Sequence, residues 1–231
     1  MNIIKSLWHS MTHFERTLWI TSMIVVTLSY LLSPDGNWLT FAASLIGVTA
    51  LIFVAKGYVL GQILSVIFAI FYGIISLHFR YYGEMITYLG MTAPIAIVST
   101  VSWIRHPYRK TAEVEVQHVS AKKMFLLAIA TVVVTVAFYF ILKALDTANL
   151  WWSTVSIATS FFAASLTAMR SPYYAIAYTA NDIVLIVMWI MAAVEDISYL
   201  PMIFCFVMFL ANDLYGFWHW RKMRDRQEKT E

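Results

Sequence analysis

Charge is what this chain has least of. Of its 231 residues, 13% are charged and 61% are hydrophobic, and the mean hydropathy is +0.71. Soluble domains carry about 25% charged residues, so a water-exposed globule is excluded and an integral membrane protein is expected. Cysteine is nearly missing too. Cys205 stands alone, which rules out an internal disulfide and a thiolate metal motif. There is no Walker A pattern, no GxSxG and no HExxH. The chain therefore does not drive transport with ATP by itself, and the common hydrolase chemistries lack their residues. His9, His13, His78, His106, His118 and His219 all fall near helix ends or in tails, so they do not converge on one depth as a metal-dependent membrane enzyme requires. No enzyme, cofactor, metal or nucleic-acid partner is expected. The polar/apolar alternation of a barrel is also missing, and the spans read as α-helical.

What is present is a series of apolar runs of spanning length. They predict eight transmembrane helices over residues 16–33, 37–55, 57–78, 82–104, 122–145, 149–169, 172–194 and 199–220. The first lacks the small-residue cleavage site of a signal peptide, and Ser33-Pro34-Asp35-Gly36-Asn37 reads as a turn into the second. Of the 16 Lys and Arg residues, all but Arg80 and Lys143 fall on one side of this arrangement. The positive-inside rule then places both termini in the cytoplasm. The longest connection, 105–121, is expected to be a solvated cytoplasmic linker. The basic run from Arg221 to Glu231 reads as a topogenic anchor that can also touch anionic lipid.

Two segments resemble each other. With an offset of 117, Tyr72 falls on Trp189, Tyr82 on Tyr199, Met85 on Met202 and Trp103 on Trp220. A three-helix unit begins and ends on opposite sides, so two units share one orientation only if an odd number of helices joins them. The span 122–145 is that joining helix. The expected organisation is an N-terminal tail and extra helix (1–36), a first three-helix repeat (37–104), a cytoplasmic loop and linker helix (105–148), a second repeat (149–220) and a basic tail (221–231). Parallel repeats of this kind place a transport site at the midplane between them.

Two Asn-Asp pairs carry the chemistry: Asn181-Asp182 and Asn212-Asp213. Each lies deep in an apolar span, where a carboxylate costs ~2.5–3.5 kcal/mol on insertion scales. The second pair sits roughly 4–5 Å to the cytoplasmic side of its helix centre, at 1.5 Å per residue, so both pairs are expected at similar depth around one cavity. Tyr174, Tyr178, Trp189 and Tyr215 surround them, and rings with a few directed polar groups suit a flat polar heterocycle. From the first half, Gln62, Ser65, Thr87 and Tyr88 are candidates, with Glu84 nearer the outer surface. Asp182 aligns with Ser65 and Asp213 with Ala96, so the second half is expected to supply most polar recognition. No Lys or Arg lies at the depth of the two aspartates. A cationic substrate or a cycling proton would resolve that, and the residues alone do not choose.

Four segments together resemble the PnuC family of bacterial vitamin transporters. They are Tyr82-Gly83-Glu84-Met85-Ile86-Thr87-Tyr88-Leu89-Gly90-Met91-Thr92-Ala93-Pro94 with Ser102-Trp103, Ala180-Asn181-Asp182-Ile183, Asp196-Ile197-Ser198-Tyr199-Leu200-Pro201-Met202, and Asn212-Asp213-Leu214-Tyr215-Gly216-Phe217-Trp218. The resemblance covers roughly residues 37–222. It implies an all-α 3+1+3 core like that of the SWEET sugar transporters, here with one extra N-terminal helix. It also implies uptake of nicotinamide riboside across the bacterial inner membrane by facilitated diffusion, with trapping by a cytoplasmic kinase. The pyridinium of that substrate is a cation, in keeping with Asp182 and Asp213, and its amide and ribose would suit Asn181 and Asn212. Many members have Trp-x-x-Trp where this chain has Pro172-Tyr173-Tyr174-Ala175-Ile176-Ala177-Tyr178, so tyrosines would stack instead. Relatives take up other vitamins, among them thiamine. Proton coupling, homo-oligomerisation and a ligand sensor without transport are the alternatives kept beside this reading.

Overall fold

The computed structural model describes residues 3–33, 38–78, 82–147 and 149–230. The expected turn over 34–37 and Arg80 lie outside the described residues. Each expected span falls on a helix. In chain order these are α1 (Ile3–Ser10), α2 (His13–Leu31), α3 (Trp38–Ala55), α4 (Val59–His78) and α5 (Tyr82–Arg105), then α6 (Ala121–Ala144), α7 (Leu150–Ala168), α8 (Tyr174–Glu195) and α9 (Leu200–Glu228). By length and composition, α3, α5, α6, α8 and α9 suffice to cross a membrane. α2 and α7 have 19 residues each, and the apolar stretch of α4 is Val59–Ile74.

Local chemistry sets the boundaries. Thr12 caps α2 in a capping box: its hydroxyl accepts from the Glu15 N–H at 3.2 Å, and the Glu15 carboxylate accepts from the Thr12 N–H at 2.7 Å. α3 ends on Gly57 at φ +69°, with Gly57 N–H to Val54 O at 2.9 Å and Tyr58 N–H to Phe53 O at 2.9 Å, a glycine-terminated helix end. α4 then folds back so tightly that a Cβ on Gly61 would lie 2.3 Å from the Val54 nitrogen. α5 contains a π-turn at Tyr88–Thr92, where the Ala93 N–H reaches back to Tyr88 O. Pro94 follows directly. Its missing N–H frees a carbonyl one turn earlier, and an inserted residue accommodates that.

The helices form two groups. α3 packs on α4, α4 on α5, α7 on α8 and α8 on α9; the groups meet where α3 touches α9 and α5 touches α7. α6 packs on α7 and presents Phe125, Val132, Val133 and Phe140 outward, as a lipid-facing helix should. α2 lies across α3 and α9.

Two expectations need correction at one end of the bundle. The segment expected as an N-terminal tail contains the helix α1, whose last residue, Ser10, accepts a 2.9 Å hydrogen bond from Lys56 Nζ through its carbonyl. The loop between α5 and α6 was read as a solvated linker, yet it is fastened to both groups. Val114 N–H donates to Gly57 O at 2.9 Å, and Gln117 N–H donates to Arg170 O at 3.0 Å. α9 runs past its apolar part so that Gln227 can donate to Val114 O at 3.1 Å and accept from the Val116 N–H at 2.8 Å. Backbone partners of this kind leave no mark in hydropathy.

Candidate functional site

α3, α4, α5, α7, α8 and α9 enclose a cavity of about 510 Å³. At one end its lining stops at Val54 and Tyr174, which belong with Trp103 and Trp220 to one buried cluster. At the other end Asp146, Asn149 and Glu195 line it and are exposed. The cavity is thus closed beside the loop 106–120 and open at the opposite face.

Of the expected site residues, Asn181, Asp182, Asp213, Tyr178, Tyr174, Trp189, Tyr88, Thr87 and Gln62 line this cavity. Ser65 and Ala96, aligned with the two aspartates by the repeat, line it too. Asp182 on α8 and Asp213 on α9 both line the cavity, each nearly sealed from solvent at 2% and 3% exposure. Two buried carboxyls facing one cavity call for a cation or a proton there. Asn181 is held from α7: its Oδ1 accepts from Thr159 Oγ1 at 2.8 Å and Ser160 Oγ at 3.3 Å. Asp182 Oδ2 and the Tyr174 hydroxyl have no hydrogen-bond partner among the described residues.

Asn212 and Tyr215 are not brought to the cavity. The Asn212 amide donates to Ser22 Oγ on α2 at 3.1 Å and to Met208 O at 2.7 Å. The Tyr215 hydroxyl donates to Glu15 Oε1 at 2.8 Å and lies 3.1 Å from His219 Nδ1. The reason is helical phase. Asn212, Tyr215 and His219 form one i, i+3, i+7 stripe that faces α2, while Phe206, Phe209 and Asp213 form the neighbouring stripe that faces the cavity. Adjacent residues differ by about 100° around a helix, at 3.6 residues per turn, so an Asn-Asp pair at the right depth need not point one way.

The sequence reading missed part of the wall. Phe68, Tyr72, Phe206 and Phe209 supply its aromatic surface, with the Tyr72 and Tyr88 rings 4.4 Å apart. α7 adds Ser153, Ser156 and Ser160. Their i, i+3, i+7 spacing was the available signal: three hydroxyls on one face of an apolar helix. Among the described residues, the formally charged side chains lining the cavity are all carboxylates: Glu84, Asp146, Asp182, Glu195 and Asp213. No Lys, Arg or His joins them there. Such a lining attracts cations and repels anions.

Comparison with known proteins agrees with this architecture. Residues 37–222 match the family model described as nicotinamide mononucleotide transporter. The nicotinamide riboside transporter PnuC of Neisseria mucosa is 26% identical over 227 residues, 96% of this chain and 86% of that protein. The protein of the same name from Haemophilus influenzae is 23% identical over 212 residues, 90% of each. A crystal structure of the vitamin B3 transporter PnuC superposes with a TM-score of 0.79 at 26% identity, covering 94% of both chains. With four-fifths of its length inside the family model, and with a helical bundle built around one polar cavity, this chain belongs to the nicotinamide mononucleotide transporter family and is a membrane transporter rather than an enzyme.

Proposed function

We propose that this chain moves nicotinamide riboside across the bacterial inner membrane by facilitated diffusion, with a cytoplasmic kinase trapping the product. The observation that carries this reading is the all-carboxylate lining of the cavity. A pyridinium nucleoside is a flat cation: its ring suits Tyr88, Tyr178 and Trp189, and its charge suits Asp182 and Asp213. The riboside is favoured over the mononucleotide of the family's description. A phosphate monoester brings about −1.5 to −2 charges at pH 7, which the acidic lining would oppose. The relatives from Neisseria mucosa and Haemophilus influenzae are both riboside transporters by name.

In this reading α3–α5 and α7–α9 are parallel repeats joined by α6, a SWEET-like 3+1+3 core with α2 added. Two local features support it. The turn after α7 repeats the bonds of the turn after α3: Arg170 N–H to Thr167 O at 2.9 Å and Ser171 N–H to Leu166 O at 3.0 Å. The residues aligned with Asp182 and Asp213 line the same cavity. The basic end, with both termini and the 106–120 loop, is cytoplasmic by the positive-inside rule, so the conformation described is open to the outside. Rocking of the repeats about the cavity would expose it alternately.

Purified protein in liposomes should exchange labelled nicotinamide riboside without ATP or an ion gradient. Unlabelled riboside should compete, a neutral nucleoside should not, and the mononucleotide should compete weakly. Binding without flux would assign a sensor instead. Preferential flux of thiamine would move the substrate to another cation.

A further inference from the structure

A second cavity, also about 510 Å³, lies at the end where the first is closed. The loop residues His106, Gln117 and His118 line it, with Arg170 from the turn after α7 and Arg224 and Gln227 from α9. Its character is set by Arg170. The guanidinium side chain is 8% exposed, yet it makes one weak hydrogen bond, Nη2 to Gln117 Oε1 at 3.3 Å. Among the described residues Nε and Nη1 have no hydrogen-bond partner, and Nη1 is ion-paired at 3.7 Å with Glu115 Oε2. A guanidinium offers five N–H donors in a planar fork matched to phosphate. Burying it with most of them unused is unfavourable unless another acceptor arrives.

The backbone adds a second, independent argument. Arg170 sits at φ +58°, in the left-handed region that disfavours any residue with a Cβ. The equivalent turn after α3 has Gly57 there, at φ +69° and with the same pattern of hydrogen bonds. The second turn thus holds an arginine in a conformation that glycine adopts without strain, and strain of this sort gathers at functional sites.

Two acids also border the cavity, Glu115 and Glu228. Both are solvated, at 51% and 57% side-chain exposure, so they can turn to water while the Arg170 side chain cannot. Arg224 is engaged with Asp225 at 2.8 Å.

We propose that this cavity binds a phosphate-bearing small molecule through Arg170, with His106, His118 and Arg224 as further donors. Such a ligand would bridge the 106–120 loop, the α7–α8 turn and α9, three elements that meet where the transport cavity is closed. Binding to the closed arrangement alone favours that arrangement by mass action. This rests on the transport reading: the trapped product is itself a phosphate monoester, so its accumulation would slow further entry from the side where it is made.

The test uses the full-length protein in detergent and in liposomes. By calorimetry, nicotinamide mononucleotide and inorganic phosphate should bind the wild type without displacing nicotinamide riboside. Arg170→Gln should weaken that binding roughly tenfold or more, the loss of a charge-assisted contact, while riboside binding persists and certifies the fold. His118→Ala, at an exposed loop position, should weaken it less and provides the second variant if Arg170→Gln does not fold. Mononucleotide enclosed in the liposomes should slow riboside entry for wild type and not for Arg170→Gln. A need for phosphatidylglycerol in place of soluble phosphate would identify a lipid headgroup as the source. Equal binding by wild type and both variants, or competition with riboside, overturns the proposal. Arg170-dependent phosphate binding in a protein that neither binds nor moves riboside would keep this site and sink the transport reading.

Discussion

Trp103 and Trp220 pack with ring centroids 5.4 Å apart and planes tilted by 46°, and each gives its indole N–H to the other helix group. Trp103 Nε1 donates to Thr167 O at 2.9 Å, and Trp220 Nε1 donates to Val54 O at 3.0 Å. Both rings are fully buried, and both acceptors also bind the turn that follows them. The last helix of each group thus secures the end of the first helix of the other.

Trp103→Phe and Trp220→Phe should loosen that closure. Each removes a hydrogen bond of about 1 kcal/mol, a roughly fivefold change in a two-state population. Thiol labelling of a cysteine at position 54 should rise in each variant and rise further in the double variant. Unchanged labelling would place the closure elsewhere.

Asp182→Asn and Asp213→Asn keep shape and remove charge. Affinity for nicotinamide riboside should fall roughly 10- to 100-fold for either, the range for a charge-assisted contact. A neutral analogue should bind almost as before. Calorimetry with both ligands separates charge recognition from a general defect.

Asn181 and Asn212 should behave differently despite their shared setting. Asn181→Ala should lower affinity about 2- to 13-fold, from ~0.5–1.5 kcal/mol per hydrogen bond. Asn212→Ala should leave affinity nearly intact and lower thermal stability, because its amide holds Ser22 rather than the cavity. Ser22→Ala should reproduce that stability loss, and the double variant should add little to it.

Lys56 and Glu15 form a buried ion pair at 2.9 Å, 5% and 0% exposed. Removing one partner leaves an unpaired buried charge, at about 3–5 kcal/mol. Glu15→Gln should therefore lower the melting temperature sharply, and Lys56→Met should do so at least as much. Combining Lys56→Met with Glu15→Met should recover part of the loss, which a thermal melt in detergent would report.

Depth was legible in the sequence and direction was not. Apolar run length located the helices, because it follows from transfer energies that composition expresses directly. That Asn181, Asp182 and Asp213 lie deep in the bundle, lining its cavity, is legible for the same reason: a deep polar group is costly wherever it points. Asn212 and Tyr215 were misdirected because phase around α9 depends on which neighbour packs there, and that neighbour, α2, carries its polar partners at Glu15 and Ser22, far away in the chain. The serine face of α7 was visible as a period and passed over. The docking of 106–120 rests on main-chain bonds to Gly57 and Arg170 and on the Gln227 side chain gripping the loop backbone, which no hydropathy pattern encodes.

The grip of α2 on the bundle has a consequence for biosynthesis. Glu15 is made early, its Lys56 partner follows 41 residues later and its Tyr215 partner 200 residues later. Ser22 waits 190 residues for Asn212. α2 is therefore seated in two stages, by charge when α3 and Lys56 emerge and by hydroxyl and amide contacts only when α9 is complete. α9 completes this set of contacts, and a nascent chain stopped before α9 holds α2 by its ion pair alone among them.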